Sequence, residues 1–264
     1  MGAARPADVT VAVLCGGLGT RLGELTRDVP KPMIAIGGRP YLERVLESFA
    51  GRGLVDFVLL TGYKHEVIET HFGDGASRGL RIAYSRENEP LGTGGALREA
   101  RPLLGDRFLL TFGDVYRRFD YDRFVQQHIG NCLAVYPRIA GTAGSADWLS
   151  PSARLSPEAG LIARDDTVGV IRGGNTDVID GVVVRFSKRA PELPYVDAGF
   201  AVMQTSTIDL LPESGPCSFE EIVYANLAEH GGLEGEIVDH EFCDIGTPEE
   251  LARTRVRLES MEEI

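Results

Sequence analysis

The chain has 264 residues, 43% of them hydrophobic, enough to bury one sizeable core as a single domain or as a domain with a sub-domain. Its net charge of −12, from 27 Lys and Arg against 39 Asp and Glu, argues against non-specific binding to nucleic acid or to an anionic membrane. No stretch approaches the ~20 consecutive apolar residues of a membrane helix, and the opening MGAARPADVT has no apolar run after its single Arg, so a cytoplasmic protein is expected.

Strand and helix signals alternate through the first half. DVTVAVLC reads as a strand, RPYLERVLESFAGRG as an amphipathic helix closed by Gly, and VDFVLLTGY as a second strand. KHEVIETHFGDG follows as a helix, LRIAYSRE as a strand, GTGGALREARPLLG as a helix opened by Gly, and RFLLTFGD as a buried strand. That alternation predicts an α/β domain with a mainly parallel sheet. Residues 140–181 lose the pattern in a stretch rich in Gly, Ser and Asp, which reads as short antiparallel strands or a lid. Patterning returns with GVVVRFSK, VDAGFAVM and EGEIVDHEFCDIGTPEELARTRVRLESM. The last is a strand, a turn and a helix capped by Thr247, with Pro248 at its first position and Glu250 completing a capping box.

Ligands of such sheets lie beyond the carboxyl ends of the strands. Gly16 to Gly19, Gly62 and Gly113 with Asp114 all fall at such ends, and one shared rim is expected. A glycine loop there suits phosphate, because small residues let backbone N–H groups approach the oxygens. The dinucleotide fingerprint G-x-G-x-x-G fails at Leu22, and the P-loop fails because Thr20 and Arg21 follow Gly19. What remains is a glycine loop ending in Arg21, with Lys31 ten residues on, two cations able to meet a triphosphate. Cys15, Cys132, Cys217 and Cys243 are far apart and form no C-x-x-C pair, which suggests neither a zinc knuckle nor a disulfide framework. His65 and His71 are six apart and do not stack as i,i+4 ligands; Trp148 reads as an anchor of its segment.

LCGGLGTRLGELTRDVPKPMIAIGGRPYLERVLE closely resembles the signature of the sugar-1-phosphate nucleotidylyltransferase family. EPLGTGGALREA resembles its base-binding loop, LLTFGDV its strand-end G-D, YVDAGFAVM its sugar-contacting segment and FCDIGTPEELARTRVRL its closing segment. Within the family the combination is most similar to D-glycero-D-manno-heptose 1-phosphate guanylyltransferases, and also to mannose- and muramate-1-phosphate nucleotidylyltransferases. The resemblance implies a Rossmann-like, GT-A-like three-layer α/β sandwich with a mostly parallel central sheet and a small sugar-binding sub-domain. It makes residues 1–264 one nucleotidyltransferase domain, with a nucleotide-binding part at roughly 8–130 and an acceptor part at roughly 131–240. A metal-ligand turn and C-terminal helix would occupy 241–264.

It further implies transfer of NMP from an NTP, GTP as the best guess, to a heptose- or mannose-type (or related cyclitol) 1-phosphate, with pyrophosphate released and Mg²⁺ required. The partners are then the NTP and the sugar 1-phosphate, with no nucleic acid and no membrane, in a monomer or homo-oligomer. Carried onto this sequence, Arg21 would hold the leaving pyrophosphate and Lys31 would sit between the α-phosphate and the incoming phosphate. Leu14, Gly16, Gly17, Gly19 and Thr20 would contact the nucleotide. Gly92 and Gly95 would let the backbone lie close to the base, whose edge Glu89 or Leu91 reads. Asp114 and Asp244 would hold the metal, and Asp114, Lys188, Asp197 and Gly199 would meet the sugar phosphate. Ser187 replaces the family's Glu before Lys188, and Arg185 and Arg189 flank it, so any of the three cations could be the phosphate ligand. A uridylyl- or cytidylyltransferase, a transferase for a non-sugar phosphomonoester and a non-catalytic regulatory relative remain alternatives.

Overall fold

The computed structural model of the protein describes residues 9–138 and 174–262. The chain begins with strand β1 (Thr10–Leu14), followed by two turns of 3₁₀ helix at Thr20–Thr26 and Lys31–Met33 and a small hairpin, β2 (Ala35–Ile36) and β3 (Arg39–Pro40). Helix α1 (Tyr41–Ala50), β4 (Asp56–Thr61), α2 (His65–Phe72), β5 (Arg81–Arg86), α3 (Gly92–Ala100) and β6 (Arg107–Phe112) come next. Each lies where the hydrophobic pattern placed it.

The strand expected over RFLLTFGD stops at Phe112; Gly113 and Asp114 form a turn, and β7 (Val115–Arg117) leaves in a new direction. Helix α4 (Tyr121–Gln127), β8 (Cys132–Pro137), β9 (Thr176–Ile179), β10 (Val182–Phe186) and the long β11 (Tyr195–Gln204) follow. Residues 218–230 then make a π-helical turn at Glu220–Tyr224 running into α5 (Ala225–Glu229), and β12 (Glu234–Ile237), β13 (Phe242–Asp244) and α6 (Pro248–Glu262) complete the described chain. Of the patternless 140–181 stretch, 140–173 lies outside the described residues and Trp148 with it; its described end supplies β9 and the turn into β10, which pairs with it antiparallel.

Among the described residues nine strands form one sheet in the order β5-β4-β1-β6-β11-β8-β12-β10-β9. It is mixed: β5, β4, β1 and β6 pair in parallel, β11 runs antiparallel between β6 and β8, β12 is parallel to β8, and β10 opposes both β12 and β9. Strand residues alternate between two cores, as a sheet covered on both faces requires. Val11, Val13, Phe57, Leu59 and Leu109 pack under α1, α2, α4 and α6, while Ala12, Val58, Leu60, Phe108 and Leu110 pack under α3, α5 and the turns around them. The result is three layers. No helix among the described residues is long and apolar enough to cross a membrane.

At the crowded centre of the first core, Tyr136 stacks on Phe242 with centroids 5.3 Å apart and its hydroxyl lies 2.8 Å from His240 Nε2. Burial, helped by the nearby Arg117 cation, pulls the His240 pKa from 6.5 to about 3, so this imidazole is neutral in the fold.

Candidate active site

The ends of β1, β4 and β6 are tied together: Cys15 N–H donates to the Leu60 carbonyl at 2.8 Å and Gly113 N–H to the Leu14 carbonyl at 3.0 Å. Beyond them opens a cleft of about 430 Å³. Its walls include Leu14, Gly16, Gly17, Gly19, Thr20 and Arg21 from the loop after β1, Lys31 and Pro32 from the next turn, Asp114 after β6, and Gly246. Of the rim expected from the glycine positions, Gly16 to Gly19 and Asp114 line the cleft while Gly62 and Gly113 do not, and the cleft gathers both loop cations. Arg21 is exposed at the mouth, with no ion pair among the described residues, whereas Lys31 is only 12% exposed and ion-paired to Asp114.

Pro30 and Pro32 bracket Lys31 in a single 3₁₀ turn, which fixes the backbone from which its long side chain reaches the cleft floor. Thr26 braces the other side, its hydroxyl donating to the carbonyls of Gly19 and Gly23 at 3.2 and 3.1 Å. Cys15 also lines the cleft, but burial and then the Asp114 charge push its thiol far up, so it is no nucleophile.

Asp114 and Asp244, far apart in sequence, are brought side by side by the antiparallel β7–β13 ladder, in which Asp244 pairs with Val115. Ile245 N–H donates to the Asp114 carbonyl at 3.3 Å, and Gly246 N–H caps the Asp244 carboxylate at 2.5 Å. Burial first, then the charges of Asp114 and Glu250, raise the Asp244 carboxyl well above the usual carboxylate range, with Lys31 opposing. Thr247 caps α6 as the sequence suggests, accepting from Glu250 N–H at 3.2 Å. The Glu250 carboxylate, however, is buried beside Gly246 and contributes a third acidic group to this corner. Its place in an S/T-x-x-E pattern gave only a capping role.

The remaining wall comes from the segment after β5. Glu87 lines the cleft and accepts from Leu91 N–H at 2.7 Å; burial raises its carboxyl, with that hydrogen bond opposing. Glu89 is exposed and does not line the cleft, nor does Leu91; Pro90, Gly92 and Thr93 do. The glycines of GTGG meet protein before they meet any ligand. A Cβ on Gly92, which has φ of +68°, would lie 2.5 Å from the Cys217 carbonyl oxygen, and one on Gly94 would lie 2.6 Å from the Cys217 thiol. Gly95 is buried against Leu91. Two backbone bonds close this seam, Gly94 N–H to the Cys217 carbonyl and Cys217 N–H to the Leu91 carbonyl, both at 2.9 Å.

Lys188, Asp197 and Gly199 stand outside the 430 Å³ cleft. Lys188 Nζ donates to Glu220 at 3.1 Å and Ser218 at 3.2 Å, and the same buried Glu220 oxygen accepts from Thr93 on the cleft wall at 2.7 Å. Burial works to raise the Glu220 carboxyl, but Lys188, Ser218 and Thr93 together hold it below its ordinary value. Arg185 is exposed and faces Glu192 at 3.9 Å, and Arg189 is exposed. Asp197 accepts from Gly199 N–H at 2.6 Å across a break in the β11–β8 register, and burial pushes its carboxyl up to about 6. Gly199 has φ of +74°, and a Cβ there would meet the Arg117 guanidinium at 2.8 Å, so the position is closed to larger residues by the protein itself.

The nucleotidyl transferase family matches residues 10–136, the span that carries the glycine loop, Arg21, Lys31 and Asp114. The match to the nucleotidyl transferase domain is confined to those residues, just under half of the chain. The mannose-1-phosphate guanylyltransferase of Mycobacterium tuberculosis is 31% identical over 93% of this chain and 63% of its own length. The D-glycero-alpha-D-manno-heptose 1-phosphate guanylyltransferase of Campylobacter jejuni is 39% identical over 47% of this chain and 55% of its own. This chain thus spans less than two thirds of either relative. The solved structure of HddC from Yersinia pseudotuberculosis complexed with GMP-PN, 25% identical, superposes with a TM-score of 0.70 over 95% of this chain and 99% of that one.

Proposed function

We propose that this nucleotidyl transferase domain moves NMP from an NTP to a sugar 1-phosphate, giving an NDP-sugar and pyrophosphate. GTP and a heptose- or mannose-type 1-phosphate, or a related cyclitol phosphate, are the substrates proposed, in a cytoplasmic setting. The observation that carries this is the convergence on one cleft of a glycine loop, Arg21, Lys31 and Asp114, with Asp244 held beside Asp114 by the β7–β13 ladder.

Attack of a phosphate oxygen on the α-phosphorus brings two anions together, so the demand is for positioning and charge neutralisation rather than for a covalent nucleophile. Arg21, exposed on the cleft wall and without an ion pair among the described residues, suits the β- and γ-phosphates because its forked donors match paired oxygens. Lys31, held deep by its prolines, suits the crowded α-phosphate as a point charge. Backbone N–H groups of the glycine loop, with Thr20, would take further phosphate oxygens. Nothing in this requires a thiol or hydroxyl nucleophile.

The donor set fits magnesium. Asp114 and Asp244 are adjacent hard oxygen donors, burial and then the Asp114 charge raise the Asp244 carboxyl, and Mg²⁺ binds through one or two carboxylates plus phosphates and water. When bound by these two side chains it would neutralise phosphate charge. The nucleotide-binding part is assigned to roughly 8–130 and the acceptor part to roughly 131–240. Lys188, with Asp197 and Gly199 behind it, is the proposed acceptor-phosphate contact, linked to the nucleotide wall through Glu220 and Thr93. The test is release of pyrophosphate from the four common NTPs with a panel of sugar 1-phosphates, followed by mass spectrometry of the product. Release that requires both substrates supports the reading; no release with any pair refutes it.

A further inference from the structure

Away from the cleft, where β8 and β12 begin, lies a group of side chains that the proposed reaction does not use. Cys132 and Glu234 are register partners in the parallel β8–β12 ladder, so their side chains leave the same face of the sheet, and Glu236, two residues on, shares that face. His128, which follows the last turn of α4, is brought to the same place. Its carbonyl accepts from Arg107 Nη1 at 2.8 Å, and its ring packs 4.9 Å from that of Phe124. The imidazole is engaged on both sides: Nδ1 lies 2.6 Å from Glu234 Oε2, and Nε2 is bonded to Glu236. His128, Cys132 and Glu234 each place one donor atom within 4.8 Å of the other two.

We propose that His128, Cys132 and Glu234 form a zinc site, separate from the catalytic cleft, with Glu236 orienting the imidazole from behind. Imidazole, thiolate and carboxylate together are the borderline-soft set that suits Zn²⁺, and they are poor ligands for Mg²⁺ as a group. Bond lengths of about 2.0–2.3 Å in a tetrahedron set zinc's donors about 3.3–3.8 Å apart, a spacing the three donors, now within 4.8 Å of one another and with Nδ1 2.6 Å from Glu234, reach by small side-chain movements. The Glu236–His128 pairing is the arrangement that fixes the tautomer and raises the basicity of a metal-bound histidine, leaving Nδ1 for the metal. The fourth position is left to water. Binding exchanges the Cys132 thiol proton for the metal and releases it to solvent, and burial next to Glu234 and Glu236 keeps that thiol protonated until then.

Cys132 belongs to the first core and is fully buried, and its sulfur still comes within 4.8 Å of donor atoms on both His128 and Glu234. Zinc here would fasten the end of α4 to β8 and β12, in the half of the sheet proposed for the acceptor.

The experiment uses the whole chain, freed of metal by a chelator and held in excess Mg²⁺ so that the cleft carboxylates are occupied, and titrates it with Co²⁺. A thiolate-to-cobalt charge-transfer band should grow to one equivalent and be displaced by Zn²⁺. Cys132→Ser should abolish the band. Glu236→Gln, which removes only the orienting partner, should keep the band but weaken metal affinity about 10–100-fold. Glu234→Gln, at an exposed position, should weaken it at least about tenfold and serves should the serine variant fail to fold. No band in the unsubstituted protein overturns the site, as does a band that survives unchanged in Cys132→Ser or, where that variant does not fold, in Glu234→Gln.

Discussion

Gly94→Ala separates two explanations of the GTGG segment. In a free helix the change is favourable by about 1 kcal/mol, because glycine is the poorer helix former. In this protein the new methyl would lie 2.6 Å from the Cys217 thiol and 3.1 Å from both the Cys217 carbonyl oxygen and the Phe219 nitrogen. Overpacking of that kind costs about 1–3 kcal/mol, so the net change is a loss of about 1 kcal/mol. The sulfur is the worst contact, and in a Cys217→Ala background the same glycine substitution becomes neutral or stabilising. The two changes should therefore couple by about 1–2 kcal/mol. Denaturant unfolding of the four proteins followed by circular dichroism measures this directly. An unfolding midpoint for Gly94→Ala equal to or above that of the unsubstituted protein, with Cys217 in place, would refute the reasoning and return the glycines to the ligand.

Three further outcomes are expected. Lys31→Met should lower kcat by about 10²–10³ with little change in the KM for NTP, read by pyrophosphate-release kinetics; a loss confined to KM would contradict a role in the transition state. Lys188→Met removes the cation from the buried Glu220 and should cost about 1–2 kcal/mol of stability while raising the KM for the sugar phosphate, since the lysine itself is 44% exposed and its pair is partly screened. His240 is held neutral, so between its unfolded pKa of 6.5 and about 3 the unfolded chain binds a proton the folded chain refuses, and stability falls as the pH drops through that window. His240→Gln should therefore shrink the loss of unfolding free energy between pH 7 and pH 5 by about 2 kcal/mol; an unchanged pH dependence would sink the assignment.

The layered α/β architecture was legible because buried strands and amphipathic helices carry their periods openly, as in VAVL of β1 and YLERVLESFA of α1. The same is true of the glycine loop with Arg21 and Lys31, which sit within one local stretch. Less visible were the features made by contacts distant in sequence. Nothing near Gly94 announces Cys217, and nothing near Gly199 announces Arg117, so the neighbours that a Cβ at either glycine would meet left no local signal. Glu87 shares its sequence surroundings with Glu89, and only the fold separates the one on the wall from the one in solvent. Short strands such as β7 and β13 have too few residues to show a period, although they carry the decisive placement of Asp114 beside Asp244. Glu250 fits a capping pattern so well that its burial next to Asp244 has no separate signal.

The β7–β13 ladder also sets a condition on when the acidic corner can form. It closes a loop of about 130 residues between Asp114 and Asp244, and no shorter-range contact can substitute for the second carboxylate. A nascent chain could assemble β1, β4, β5 and β6 and present its glycine loop and both cations long before residue 244 emerges. Such an intermediate would have the proposed phosphate-binding loop but not the acidic corner, which closes only when β13 pairs with β7.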